Sequence, residues 1–91
     1  MKFKMGMLTA TKAVAATFDG DFIMDLFLRH SKGDWGDLSK EDIIASEQAL
    51  HTGDRILSKY STGILCEECE DVYIITEGDR SSTTMMFVSE Y

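Results

Sequence analysis

The order of apolar and polar positions divides the chain into a strand, three helices and three further strands. Residues 2–8 alternate, with Phe3, Met5 and Met7 on one side and Lys2, Lys4 and Gly6 on the other. That period of two predicts a half-buried strand with one wet face. Thr9 or Thr11 can cap a short alanine-rich helix over Lys12–Phe18. Asp19-Gly20 reads as a turn, and Asp21 as the N-cap of a second helix running from Phe22 to His30. Its apolar residues Phe22, Ile23, Met24, Leu26 and Phe27 cover more than half the circumference, which predicts a central core helix. Ser-Lys-Gly-Asp-Trp-Gly-Asp-Leu at 31–38 is a loop, because two close glycines permit sharp bends. Ser39 then caps a third helix, with Asp42 at the spacing of a capping box. Glu41 and Asp42 suit the dipole of its first turn, Ile43, Ile44 and Leu50 are expected to face inward, and Gly53 stops it.

The last third is strand-like. Arg55–Tyr60 is one candidate, and Thr83–Val88 another. Val72–Thr76 is the clearest strand, being short, β-branched and aromatic, and its apolar character on both faces predicts a central position. Residues 77–82 form a tight polar turn between the last two strands. The expected architecture is α+β: a small antiparallel sheet of three to four strands with two to three helices packed on one face.

Size and composition fit that architecture and little else. The 91 residues are expected to form one domain spanning 1–91. A content of 44% apolar and 27% charged residues is globular, and proline is absent. No apolar run approaches the roughly 20 residues that cross a bilayer, and residues 1–18 lack the apolar centre of a signal peptide. The expectation is a cytoplasmic protein with no membrane partner.

Charge narrows the partners. Sixteen acids face nine bases, giving a net charge of −7. Residues 1–18 carry Lys2, Lys4 and Lys12 and no acid, so the rest of the chain is strongly negative. Such a surface is repelled by phosphate backbones, which argues against direct nucleic-acid binding, and is attracted to basic grooves on other proteins.

Five groups of residues could carry chemistry. Cys66-Glu67-Glu68-Cys69 is a single C-x-x-C without the second ligand pair of a structural zinc site. Neighbouring carboxylates raise a thiol pKa, which favours two free thiols over a redox, bridged or metal-bound pair. His30 lies near Asp34 and Asp37, but at no standard metal-site spacing. Both His30 and His51 are expected to meet the last carbonyls of their helices. No catalytic residue, metal or cofactor is assigned. In Gly33-Asp34-Trp35-Gly36-Asp37, Trp35 is either a surface anchor for a partner flanked by Asp34 and Asp37, or a core plug. The need of a small domain for large apolar groups favours the plug. Arg80, in the turn, is either a bidentate anion binder and partner contact or a hairpin residue paired with Glu77 or a loop aspartate. The acidic run Glu67, Glu68, Glu70 and Asp71 is a solvated loop, unless it shares one face with other carboxylates. In that case it can mimic the closely spaced charges of a nucleic acid.

Taken in order, the segments His30–Leu38, Glu41-Asp42, Arg55–Tyr60, Ile74–Ser81 and Ser89–Tyr91 resemble a group of short bacterial proteins borne on plasmids and prophages, the plasmid-related proteins. The resemblance covers nearly the whole chain, although the stretch around Cys66–Asp71 is longer than the usual hairpin of that group. It implies a mobile-element setting in the cytoplasm of a bacterial host, and no particular activity. With the acidity, it leads to the expectation of a non-enzymatic inhibitor of a defence nuclease, of anti-CRISPR or anti-restriction type. The partner would be a nucleic-acid-binding defence complex, met through Asp34, Trp35, Asp37, Glu67, Glu68, Glu70, Asp71 and Arg80. The alternative is a housekeeping or regulatory adaptor of the mobile element. A homodimer through an exposed strand edge is a further expectation.

Overall fold

A computed structural model describes residues 2–63 and 70–91. The chain order is β1 (Met7–Ala10), α1 (Lys12–Thr17), α2 (Gly20–Ser31), α3 (Lys40–Thr52), β2 (Ile56–Tyr60), β3 (Val72–Thr76) and β4 (Ser82–Phe87), followed by a 3₁₀ turn at Val88–Glu90. The four strands form one sheet in the order β1-β4-β3-β2. The α+β architecture with a small sheet and three helices is the one the residue pattern predicts.

The local signals operate as anticipated at most helix ends. The Thr11 hydroxyl accepts from the Val14 N–H, and Ser39 accepts from Asp42. Gly53 closes α3 in the left-handed conformation, φ 80°, which costs a residue without a Cβ little. At α2 the cap lies earlier than expected. Asp19, rather than Asp21, accepts from the Phe22 N–H, so Gly20 is the first helical residue and not part of a turn. The hairpin is confirmed: Glu77 N–H donates to Ser82 at 3.0 Å and Arg80 N–H to Glu77 at 2.8 Å.

The sheet differs from expectation at its first strand. β2, β3 and β4 are antiparallel, but β1 joins β4 in parallel, so the sheet is mixed. The chain between β1 and β4 runs through three helices and the strands β2 and β3, a connection long enough for β4 to return beside β1 in the same direction. The regular strand also begins at Met7. Met5 turns into the core, while Met7 is 70% exposed, so the alternation over residues 2–8 did not mark a single straight strand.

One sheet face, bearing Val72, Ile74, Met85 and Tyr60, packs against Val14 and Phe18 and against Leu26 and Phe27 of α2. α2 is the central core helix. α3 lies along the β2 edge and builds a second cluster of Trp35, Leu38, Ala49 and Ile56. Ser46 and Ala49 are buried on its inner face and Ile43 and Leu50 pack beside them as expected, whereas Ile44, also expected inside, is exposed. The reason is the geometry of the edge. The Ser46 hydroxyl donates to the Leu57 carbonyl at 2.7 Å and accepts from the Leu57 N–H at 3.2 Å. One serine thereby stands in for a neighbouring strand, satisfying backbone groups that a small apolar residue would leave open. No helix among the described residues is long and apolar enough to cross a membrane.

Candidate functional site

The site best supported by geometry is the end of β2, where two loops meet. The first is 33–37. Gly36 is bridged to Lys59, with Lys59 N–H donating to the Trp35 carbonyl at 3.1 Å and Asp37 N–H donating to Lys59 at 2.7 Å. This approach requires glycine: a Cβ at Gly36 would lie 2.0 Å from the Lys59 carbonyl oxygen, and φ is 69°. The second loop brings Glu70 and Asp71 to the same place. The Thr62 hydroxyl donates to the Glu70 carbonyl at 2.8 Å, and the Asp71 carboxylate lies 3.9 Å from Lys59 Nζ. The first loop closes the arrangement, since Asp37 accepts from the Ser61 N–H at 3.2 Å and the Tyr60 hydroxyl donates to the Asp34 carbonyl. Asp34, Asp37, Glu70 and Asp71 thus all contact the four-residue stretch 59–62, Asp37 and Asp71 through their carboxylates and Asp34 and Glu70 through their backbone carbonyls.

Local charge is only partly cancelled there. Asp34 is paired with Arg29 Nε at 2.8 Å, and Asp71 with Lys59. The Arg29 guanidinium holds the Asp34 carboxyl below its ordinary value and is itself pushed up by the same bond. Arg29 also lies over the Tyr60 ring, 4.6 Å from its centroid, and burial pushes the Tyr60 hydroxyl up to about 12. The Glu70 carboxylate binds the backbone N–H and hydroxyl of Ser89, at 2.6 and 2.8 Å. Four carboxylates therefore face two paired cations at this end. Both ion pairs are exposed enough that solvent screens most of their attraction. Glu67 and Glu68, with Cys66 and Cys69, lie outside the described residues.

Two of the candidate contacts are structural. Trp35 is the core plug and not a surface anchor: it is 4% exposed, and its Nε1 donates to Glu47 at 2.8 Å. Its ring stacks on Phe3 and meets the edge of His30. Arg80 does not present a free fork to an anion, and among the described residues it pairs with no carboxylate. Its Nη1 donates to the carbonyls of Asp54 and Glu77, at 2.7 and 3.2 Å, and Nη2 donates to that of Ala49 at 2.7 Å. It clamps the C-terminal end of α3 to the hairpin, where a cation complements the helix dipole. Arg80 does so from a left-handed backbone, φ 62°.

His30 is the largest departure from the sequence reading. It does not meet the helix carbonyls. The imidazole is fully buried between Ser58 of β2 and Thr76 of β3. Nε2 lies 2.9 Å from the Thr76 hydroxyl, Thr76 lies 2.7 Å from Thr83, and Thr83 donates to the Met5 carbonyl at 2.6 Å. That last acceptor fixes the direction of the whole chain. Thr83 must donate to Met5, so Thr76 donates to Thr83, Nε2–H donates to Thr76, and Nδ1 accepts from Ser58. The histidine is thus neutral, with its proton on Nε2, and burial pushes its pKa down to about 3. The network ties α2 and three strands to the N-terminal segment, and no buried side-chain polar atom among the described residues lacks a partner. No signal in the sequence separates such a histidine from a helix-capping one, because its partners are 28 and 46 residues away.

No family model, curated protein or solved structure matches the chain.

Proposed function

We propose that the protein is a non-enzymatic acidic binding module of a mobile element, and that it inhibits a bacterial defence nuclease of anti-CRISPR or anti-restriction type. In this reading the end of β2 enters a basic nucleic-acid site on the target and competes there with DNA or guide RNA. The observation that supports it is the convergence of Asp34, Asp37, Glu70 and Asp71 on residues 59–62. Carboxylates separated by more than thirty residues in sequence share one end of the sheet, and the segment between Gly63 and Glu70 adds Glu67 and Glu68 by sequence. Among the described residues, Arg29 and Lys59 are the cations paired with them. A cationic cleft would gain most in association rate from such a patch, and the gain would fall as salt screens exposed charges.

The test is phage plaquing in strains that each carry one defence system and express the protein. Relief of one system by the native chain is the expected result. The variant Asp37→Asn/Glu67→Gln/Glu68→Gln should restore that defence, since the asparagine at 37 still accepts from Ser61 while three charges are gone. Undiminished relief by this variant removes the acidic patch from the mechanism. Relief in no strain removes the inhibitor and leaves a regulatory adaptor of the mobile element as the reading to pursue.

A further inference from the structure

The two edges of the sheet are treated unequally, and the contrast points to a second binding surface. On the β2 edge the outward backbone groups are taken: Leu57 by the Ser46 hydroxyl, and Lys59 by Trp35 and Asp37. The β1 edge has no such cover among the described residues. Met7 N–H donates to Ser81 at 3.0 Å and Thr11 N–H to Met85 at 3.1 Å, so the odd-numbered residues face β4. The alternation of a strand then turns the N–H and C=O of Leu8 and Ala10 outward, where they have no partner among the described residues.

Beside this open edge runs a groove of about 440 Å³ between β1 and α2, lined by Lys4, Met5, Leu8, Met24, Phe27 and Leu28. Met24 and Leu28 stand one helical turn apart on α2, 46% and 49% exposed. An open ladder together with an apolar trough is the combination that accepts an added strand. The backbone groups hold the strand's main chain, and the trough takes alternate side chains.

Charge decides what kind of strand. The cations lining the groove are Lys4 and Arg80, the latter held by backbone carbonyls. Lys2, whose N–H donates to Ser31 at 2.8 Å, and Lys32 adjoin Ser31 at the end where α2 finishes. At the other end Lys12 follows β1, and Asp21 and Asp25 lie on α2. Residues 2–18 contribute no acid of their own. A second copy paired antiparallel through β1 would bring its Lys12, Asp21 and Asp25 end to Lys2, Lys4 and Lys32, a mixed neighbour rather than a run of acids. We propose that the β1 edge and its groove bind an extended segment of a partner protein, with alternating apolar residues and a run of acidic residues at one end, seated against Lys2, Lys4 and Lys32. The segment adds antiparallel to β1, the commoner pairing, so its acidic end is its C-terminus. This surface is at the opposite edge of the sheet from the acidic end of β2 and stands independently of it.

The test is an NMR titration of the full chain with a synthetic peptide of alternating valine and threonine ending in three glutamates. Matched probes are the same peptide ending in three lysines, and laurate. The expected result is that the acidic peptide shifts the Leu8 and Ala10 amides and slows their hydrogen exchange. The lysine peptide should bind at least about tenfold more weakly. Leu28→Asp, at an exposed helical site, should weaken the acidic peptide by about tenfold or more. Leu8→Pro should do the same, because it removes only an outward N–H, which an edge strand tolerates. Lys4→Glu should narrow the preference between the two peptides. The proposal is overturned if the acidic peptide leaves the Leu8 and Ala10 amides unshifted, if the two peptides bind equally, or if both Leu28→Asp and Leu8→Pro bind as the native chain does. Laurate filling the groove while the acidic peptide fails would assign it to an acyl chain and equally overturn a strand site.

Discussion

Mild acid should destabilise this protein through His30 before its carboxylates titrate. The buried imidazole has its pKa lowered from an ordinary 6.5 to about 3, with desolvation as the cause. The unfolded chain regains the ordinary value and takes up a proton that the folded one refuses. The depressed folded value means that the contribution is complete above pH 6.5, declines as pH falls below that, and levels off only below about pH 3. At pH 5 the loss amounts to about 2 kcal/mol, and it grows to about 5 kcal/mol at the lower limit. Against a typical total of about 5–15 kcal/mol, the first of these is measurable and the second threatens the fold. The assay is urea unfolding at pH 7, 6 and 5 for the native chain and for His30→Gln. Glutamine can still donate to Thr76 but takes up no proton, and His51 is present in both chains and cancels from the comparison. The variant should start about 1–3 kcal/mol lower, because Ser58 loses its acceptor. It should then stay nearly level where the native chain falls. Parallel pH curves for the two proteins would refute the reasoning. So would an imidazole signal for His30 that titrates near 6.5 while the protein is folded.

Two further substitutions test how distant segments are held together. Ser46→Ala leaves both backbone groups of Leu57 without their partner and should cost about 1–3 kcal/mol in urea unfolding; a loss under about 0.5 kcal/mol would mean that water replaces the hydroxyl. Arg80→Lys should be less stable than the native chain by about 1–3 kcal/mol, because a single ammonium cannot reach the three carbonyls of Ala49, Asp54 and Glu77. Arg80→Gly loses the same bonds but relieves the left-handed backbone, so it should fall between the two; if it proves the most stable of the three, the strain outweighs the clamp.

What the sequence by itself determined is what neighbouring residues settle among themselves. Thr11 and Ser39 cap the N–H three residues on, Gly53 ends its helix within one turn, and residues 77–82 fold back on their own hydrogen bonds. The run Val72–Thr76 is apolar on both faces wherever it lies, so its place inside the sheet was legible too. The tertiary structure alone decided whatever depends on partners far along the chain. His30 and Arg80 are each compatible with several local roles. Ser58 and Thr76 give the first a buried network, and Ala49 and Asp54 make the second a clamp. The parallel pairing of β1 joins residues 75 positions apart, and the meeting of two acidic loops at residues 59–62 brings together segments from both halves of the chain. Such contacts form only when the whole core closes. A hydrogen bond or an ion pair is set by distance in space, and the spacing of residues along the chain fixes that distance only within a turn or two of backbone.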